Sequence, residues 1–305
     1  MTLGGNLVMV SGVPVPRVND ILGASYQLYH HVETNDTVVR TVSYSLPEDL
    51  HEHIQTVAPT TYFGSLRPQW NKPRPVKSTA TREKEFVKVL HSRERYVSPP
   101  YLRWLYKTMG YEPAAMKQNK VAVVGFMEQY PNYQDLAHFM GEFRTDGERG
   151  DFTIRLVNDG DFSAKNPGFQ ANLDVQIVEA MTFPTPNIFY STGGLAGTAT
   201  DPYISWISYM DAQTVLPQTI TMSYYSNENE VPQDYAEWLC RGFGVLGSRG
   251  ASILFASGDW GVGRGDWLVE DSSGKIRAHF QPTFPASCTC GVDFSQFEGG
   301  TRRQT

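Results

Sequence analysis

The sequence predicts an α/β protein built on a mostly parallel, doubly wound sheet, with a smaller α+β segment ahead of it. Three observations carry this. From residue 121 onward, short apolar runs bounded by Gly alternate with amphipathic helical stretches, the pattern of strands buried between crossover helices. A stretch rich in Lys, Arg, Pro and Thr separates the first 70 residues from the rest, which marks a boundary between units. The 27 Gly and 19 Pro call for many turns, as in a loop-rich domain rather than a helical bundle. With 305 residues, the chain can form one large domain or an ordinary one with a smaller partner.

Taken in order, residues 18–29 read as an amphipathic helix and residues 37–44 alternate like a strand, with a second helical start after Pro47 in EDLHEHIQTV. Residues 71–97 read as a linker whose exposed basic residues suit proteolytic nicking. Beyond it, VAVVGF (121–126) precedes the helical DLAHFMGEF, and FTIRLV (152–157) precedes LDVQIVEAM. NIFYS (187–191) follows, then TITMSY (219–224) before DYAEWLCRGFGVLGSRG, and finally ASILFASGD. In doubly wound sheets function sits at the carboxyl ends of strands. The residues just after Phe126, Ser191, Tyr224 and Ser257 are therefore the ones to inspect.

Composition excludes some classes. Charged residues are 19% of the chain and the net charge is −6, so there is no basic field for nucleic acid or an anionic membrane. No stretch approaches the roughly 18 consecutive apolar residues of a spanning helix. The start, MTLGGNLVMVSGVPVPR, lacks a basic n-region and is not read as a signal peptide. Cys240, Cys288 and Cys290 are odd in number, and Cys288-Thr289-Cys290 has neither zinc-knuckle nor redox spacing. The sequon Asn35-Asp36-Thr37 matters only in a secreted chain.

Two segments could carry chemistry. Ser257-Gly258-Asp259-Trp260-Gly261-Val262 follows the buried strand SILFA, where a Gly-flanked acid can point into a cleft; the plain alternative is an Asx-turn in which Asp259 caps nearby backbone. Gln170 and Asp174, in QANLDV, are four apart at a helix start and so share a face; the plain alternative is an acid complementing the helix dipole beside an ordinary polar residue. The string GVGRGD (261–266) is a weak match to a phosphate loop, without Lys-Ser/Thr or a clear following helix.

Together, in this order and separation, these segments resemble the sedolisins, serine-carboxyl peptidases related to subtilisin, and especially their fungal tripeptidyl-peptidase branch. The resemblance runs from about residue 10 to Cys288 through GASYQLYHH, TVSYSLPEDLHEHIQTVAPTTYFGS, VSPPYLRWLYKT, QANLDVQ, PTPNIFYSTGG, ASGDWGVG and FQPTFPASC. It implies a subtilisin-like peptidase domain after a removable pro-region, a secreted (or vacuolar) protein, peptide or protein substrates, and release of short N-terminal peptides at acidic pH. It divides the chain into the end of a pro-region (1–70), a processing junction (71–97), a partial peptidase domain (98–288) and an aberrant tail (289–305). The family uses a Ser nucleophile, a Glu base, an Asp that orients the Glu, a second Asp in the oxyanion hole, and a structural calcium. A carboxylate base suits acid, and an oxyanion-hole Asp helps only as a neutral donor.

On the motifs, Asp174 takes the orienting position and Asp259 the oxyanion position, with Gly258 beside it. Ser223 and Tyr224 fall on the family's substrate-pairing edge. Gln170 stands where the Glu base belongs, and an amide cannot accept a proton at any working pH. The nucleophile motif G-T-S-x-S-x-P appears nowhere in the sequence. The calcium site is expected in the family's C-terminal part, which this sequence does not match. Tyr225 replaces a Gly of the substrate edge and is expected to crowd the cleft. Tyr101 and Trp267 stand where relatives carry Cys, so no disulfide is assigned to Cys240 or Cys288. The expectation is an incomplete peptidase sequence, inactive as it stands, or a pseudo-peptidase that holds peptides without cutting them.

Overall fold

The structure is a computed structural model and describes residues 8, 10–30, 32, 37–63, 67–68, 97–115, 118–147, 150–194, 201–259, 268–270, 274–278, 281–289 and 292–294. Most of the expected linker, the GVGRGD string and most of the tail lie outside them, as do Asn35 and Asp36 of the sequon.

The first segment holds α1 (Val15–Leu22) and the antiparallel pair β1 (Gln27–His30) and β2 (Thr37–Arg40). The helix is shorter than its amphipathic pattern implied. Gly23 adopts φ +53° and closes it, a left-handed cap that Gly adopts without penalty. Residues 27–30 then pair as a strand, so their apolar spacing served a ladder rather than a helix face. β2 likewise stops at Arg40, and the stretch after Pro47 makes only a 3-10 turn, Glu48–Leu50.

This segment packs on the larger domain. Tyr62 stacks on Tyr235 at 4.9 Å between ring centroids, and its hydroxyl meets Ser226 Oγ at 3.0 Å. The Tyr44 hydroxyl donates to Asp234 and the Arg241 guanidinium to Gln55. β3 (Arg67–Pro68) continues from it.

After α2 (Pro99–Leu105), the domain alternates as expected: β4 (Val121–Gly125), α3 (Tyr133–Phe143), β5 (Phe152–Val157), α4 (Phe169–Thr182), β6 (Asn187–Thr192), α5 (Pro202–Asp211), β7 (Thr219–Met222), β8 (Tyr224–Asn227), α6 (Gln233–Ser248) and β9 (Ser252–Ala256). Four short strands follow: β10 (Leu268–Glu270), β11 (Ile276–Ala278), β12 (Thr283–Phe284) and β13 (Val292–Phe294). The main sheet runs β13-β9-β7-β4-β6-β5, parallel throughout. Its outer strand β13 comes from the tail read as aberrant: Val292 pairs with Leu254 and Phe294 with Ala256.

Both faces of this sheet are covered, which explains the continuous apolar runs. Ala122 and Val124 of β4 face one core with Trp206, Met210, Leu239 and Phe243 from α5 and α6. Val123, between them, faces the other with Leu136, Met140, Ala171 and Val175 from α3 and α4. Asn132 caps α3 by accepting from the amides of Gln134 and Asp135. Asn132→Ala should therefore cost about 1 kcal/mol, read as a lower urea midpoint.

The run expected as one strand, TITMSY, breaks at Ser223. β7 stays in the parallel sheet, whereas β8 turns away to pair antiparallel with β12 on one side and β3 on the other. A disulfide joins Cys240 of α6 to Cys288 after β12, with Cα atoms 5.4 Å apart. This corrects the expectation that no pair could be assigned: these two cysteines meet because α6 and the turn after β12 share one core.

Candidate active site

The chain passes from β4 to the outer β5, returns to β6 beside β4, and crosses to β7 and β9 on the other side. The order thus reverses about β4, which directs attention to the carboxyl ends of β4 and β7. Ser223 follows β7 directly and Asp259 lies three residues beyond β9. Gln170 and Asp174 come from the first turns of α4.

Three of these side chains meet. Asp174 Oδ1 accepts from Gln170 Nε2 at 2.8 Å and from Ser223 Oγ at 2.9 Å. Asp174 lies beyond the first turn of α4, which holds no acid, so helix-dipole complementation does not account for its place. The residue as a whole is half-buried, but its carboxyl is enclosed, and burial pushes it up to about 7 against the two hydrogen bonds. Gln170 is 3% exposed and its Oε1 is buried without a partner. The amide nitrogen is spent on Asp174, which leaves an acceptor oxygen that cannot hold a proton.

Asp259 sits apart from this trio in the sequence and is also buried. Gly258 before it adopts φ +87°, which explains Gly on this turn. Thr283 Oγ1 donates to the Ser257 carbonyl at 2.9 Å, so β12 holds the turn. A Cβ on Gly258 would lie 3.7 Å from the Tyr225 ring. Tyr225 is buried against the turn that carries Asp259.

Tyr224, expected to bind substrate, has its side chain in the core. It is 0% exposed, its hydroxyl donates to the Phe126 carbonyl at 3.0 Å, and its own carbonyl accepts from Tyr203 at 3.1 Å. What β8 offers is its backbone edge, where Arg67 and Pro68 pair with Tyr225 and Tyr224.

Among the described residues no group of three or more His, Cys, Asp or Glu could hold a metal. No helix among the described residues is long and apolar enough to cross a membrane.

The fold and its leading segment define a class, a parallel α/β domain behind a segment of activation-domain type: residues 3–63 match the family described as "Pro-kumamolisin, activation domain". The chain is 28% identical over 293 residues to the tripeptidyl-peptidase SED2 of Arthroderma otae, covering 90% of this chain and 48% of that protein. It is 30% identical over 282 residues to the tripeptidyl-peptidase sed4 of Aspergillus fumigatus, covering 87% and 46%. The chain is similar to the sedolisin family, on its fungal tripeptidyl-peptidase side. It spans about half the length of the curated relatives it matches. Among solved structures, Pseudomonas sedolisin, a serine-carboxyl proteinase complexed with two molecules of pseudo-iodotyrostatin, aligns at TM-score 0.45 and 14% identity, over 64% of this chain and 52% of that one.

Proposed function

We propose that this chain carries the pro-region and part of the catalytic cleft of a tripeptidyl-peptidase-like serine-carboxyl peptidase, secreted or vacuolar, and that it does not itself hydrolyse peptides. The observation that carries this reading is the Gln170–Asp174–Ser223 cluster. Asp174 occupies the orienting position and is hydrogen-bonded to residue 170, the arrangement a carboxylate base would need. With Gln at 170 the pair is held but no proton can be accepted. Asp259 is assigned the oxyanion position, where it serves as a donor only in acid. Calcium is an expectation from the family resemblance, and no step here depends on it. The disulfide supports an oxidising compartment.

The edge Tyr224–Tyr225, proposed for substrate backbone, is occupied by the chain's own Arg67–Pro68. That supports the pro-region as a partner of the cleft. A second reading, a pseudo-peptidase that holds peptides, is favoured by Gln170, whose amide completes a hydrogen bond with Asp174 and leaves no stray charge.

The test is release of the fluorophore from Ala-Ala-Phe-aminomethylcoumarin between pH 4 and 6. The chain should show none, and Gln170→Glu alone should not rescue it, because the nucleophile motif is also missing. In a longer product that includes G-T-S-x-S-x-P, Gln170→Glu should raise turnover by about 10²–10⁴-fold, the usual worth of a positioned base. Equal turnover with Gln and Glu would sink the assignment of residue 170.

A further inference from the structure

Where the first segment sits on the larger domain, three buried polar atoms lack a partner within ordinary hydrogen-bond length: Arg40 Nη2, Asp201 Oδ2 and the Tyr235 hydroxyl. Their residues are only 2%, 3% and 2% exposed, and the atoms themselves are sealed from solvent. Each is what remains after its residue's other duties are met. Arg40 Nε donates to the Tyr62 carbonyl and Nη1 to the Val39 carbonyl, both at 2.7 Å. Asp201 Oδ1 accepts from the Ile204 amide at 3.1 Å as N-cap of α5. Tyr235, on α6, stacks on Tyr62, the residue whose carbonyl holds Arg40. The first segment thus fixes the guanidinium by two donors and leaves the third to face the larger domain.

The charges agree with this placement. Burial pulls the Arg40 guanidinium below its usual value, and Asp201 is the first of the charges that oppose it, ahead of Tyr26, Tyr235 and Tyr62. Asp201 is the one carboxylate in that set. The Tyr235 hydroxyl is directed at the same carboxyl. A buried charge is tolerated when it is paired and hydrogen-bonded, and a sealed site has no water to do this. The three groups therefore have only one another. A planar fork can serve two carbonyls and an acid at once, which the point charge of a Lys cannot.

We propose that Asp201 and Tyr235 form an arginine-recognition socket on the larger domain, that Arg40 of the first segment fills it, and that this pairing keeps the segment seated. Its consequence for the β8 edge, which Arg67–Pro68 covers, rests on the reading of the pro-region as a partner of the cleft.

Hydrogen exchange on the full chain at neutral pH tests both. In Arg40→Ala, exchange across residues 37–63 should accelerate by about tenfold or more, as for truncation of one partner of a buried charge pair, while residues 121–125 of β4 change little. Millimolar methylguanidinium should slow it again by entering the vacated socket, and methylammonium at the same concentration should not. Adding Asp201→Asn, which retains a good N-cap residue, should abolish the rescue. If Arg40→Ala does not fold, Asp201→Asn alone decides, because it should accelerate residues 37–63 with Arg40 still present. Rescue by methylammonium as well, no rescue by methylguanidinium, or indifference of residues 37–63 to Asp201→Asn would each overturn the socket. Residues 224–225 separate the two readings. If they lose protection together with residues 37–63, the seated segment covers the β8 edge. If they stay protected while residues 37–63 open, the socket stands and the pro-region reading of that edge falls.

Discussion

Raising the pH from about 4 to about 7 should destabilise the folded chain steeply, and Glu179→Gln should remove part of that slope. Glu179 is 3% exposed. Its carboxyl accepts from Asn187 Nδ2 and, at 3.4 Å, from the Asp151 amide, yet burial outweighs both and pushes it up to about 7. Asp174, on the same helix, is pushed up to about 7 for the same reason. Asp201 is raised too, again chiefly by burial. For each group the native state holds its proton more tightly than the unfolded chain, whose values are 3.8 for Asp and 4.5 for Glu. Below those values both states are protonated and the native carboxyls impose no ionisation cost. As pH rises through the window up to about 7, the unfolded state sheds protons that the native state keeps, and stability falls. Each group contributes at most about 1.4 kcal/mol per pH unit there. Urea midpoints measured from pH 4 to 8 should decline and then level off, with a shallower decline in Glu179→Gln. A midpoint that rises over this range would contradict the burial argument. Such a dependence matches a protein working in acid, where a neutral Asp259 is also required by its proposed role.

The parallel core was legible because strands buried on both faces must be apolar throughout. VAVVGF, FTIRLV and SILFA could be placed to within a residue or two. One helix in that core, α5, was missed despite its signals. Asp201 accepts from the Ile204 amide as N-cap, Pro202 follows at the first helical position, and Tyr203, Trp206, Ile207 and Met210 repeat on one face. The aromatic and β-branched content of PYISWISYMD obscured that period. Boundaries in the first segment failed for a different reason, since spacing alone could not show that Gly23 would stop α1. At the site, the four-residue spacing of Gln170 and Asp174 did foretell their contact. Ser223 was placed on a substrate edge, and what the sequence could not reveal was its hydrogen bond to Asp174 across 49 residues. Tyr224 is fully buried as a side chain, and its backbone, the part an edge-pairing role uses, lies at the β8 edge.

Removing the Cys240–Cys288 disulfide should strongly destabilise this side of the sheet. The bond spans 48 residues of sequence, and freeing a loop of that length in the unfolded chain is worth about 4 kcal/mol in the chain-entropy account. Against a typical total of 5–15 kcal/mol, Cys240→Ala with Cys288→Ala should leave the fold marginal near 37 °C. Cys288 is also buried, packed with Phe284 and Ala286, so the Ala variant loses contact as well. The consequence reaches the site through β12. Thr283 lies five residues before Cys288, pairs with Asn227 of β8 and holds the Ser257 carbonyl, so a loosened β12 releases the turn that presents Gly258 and Asp259. Hydrogen exchange at those two amides should accelerate in the double variant by more than at Val123 or Ile220, which lie in the middle of the sheet. A urea midpoint unchanged by the substitutions, or uniform acceleration across the whole sheet, would show instead that the bond does not anchor this turn.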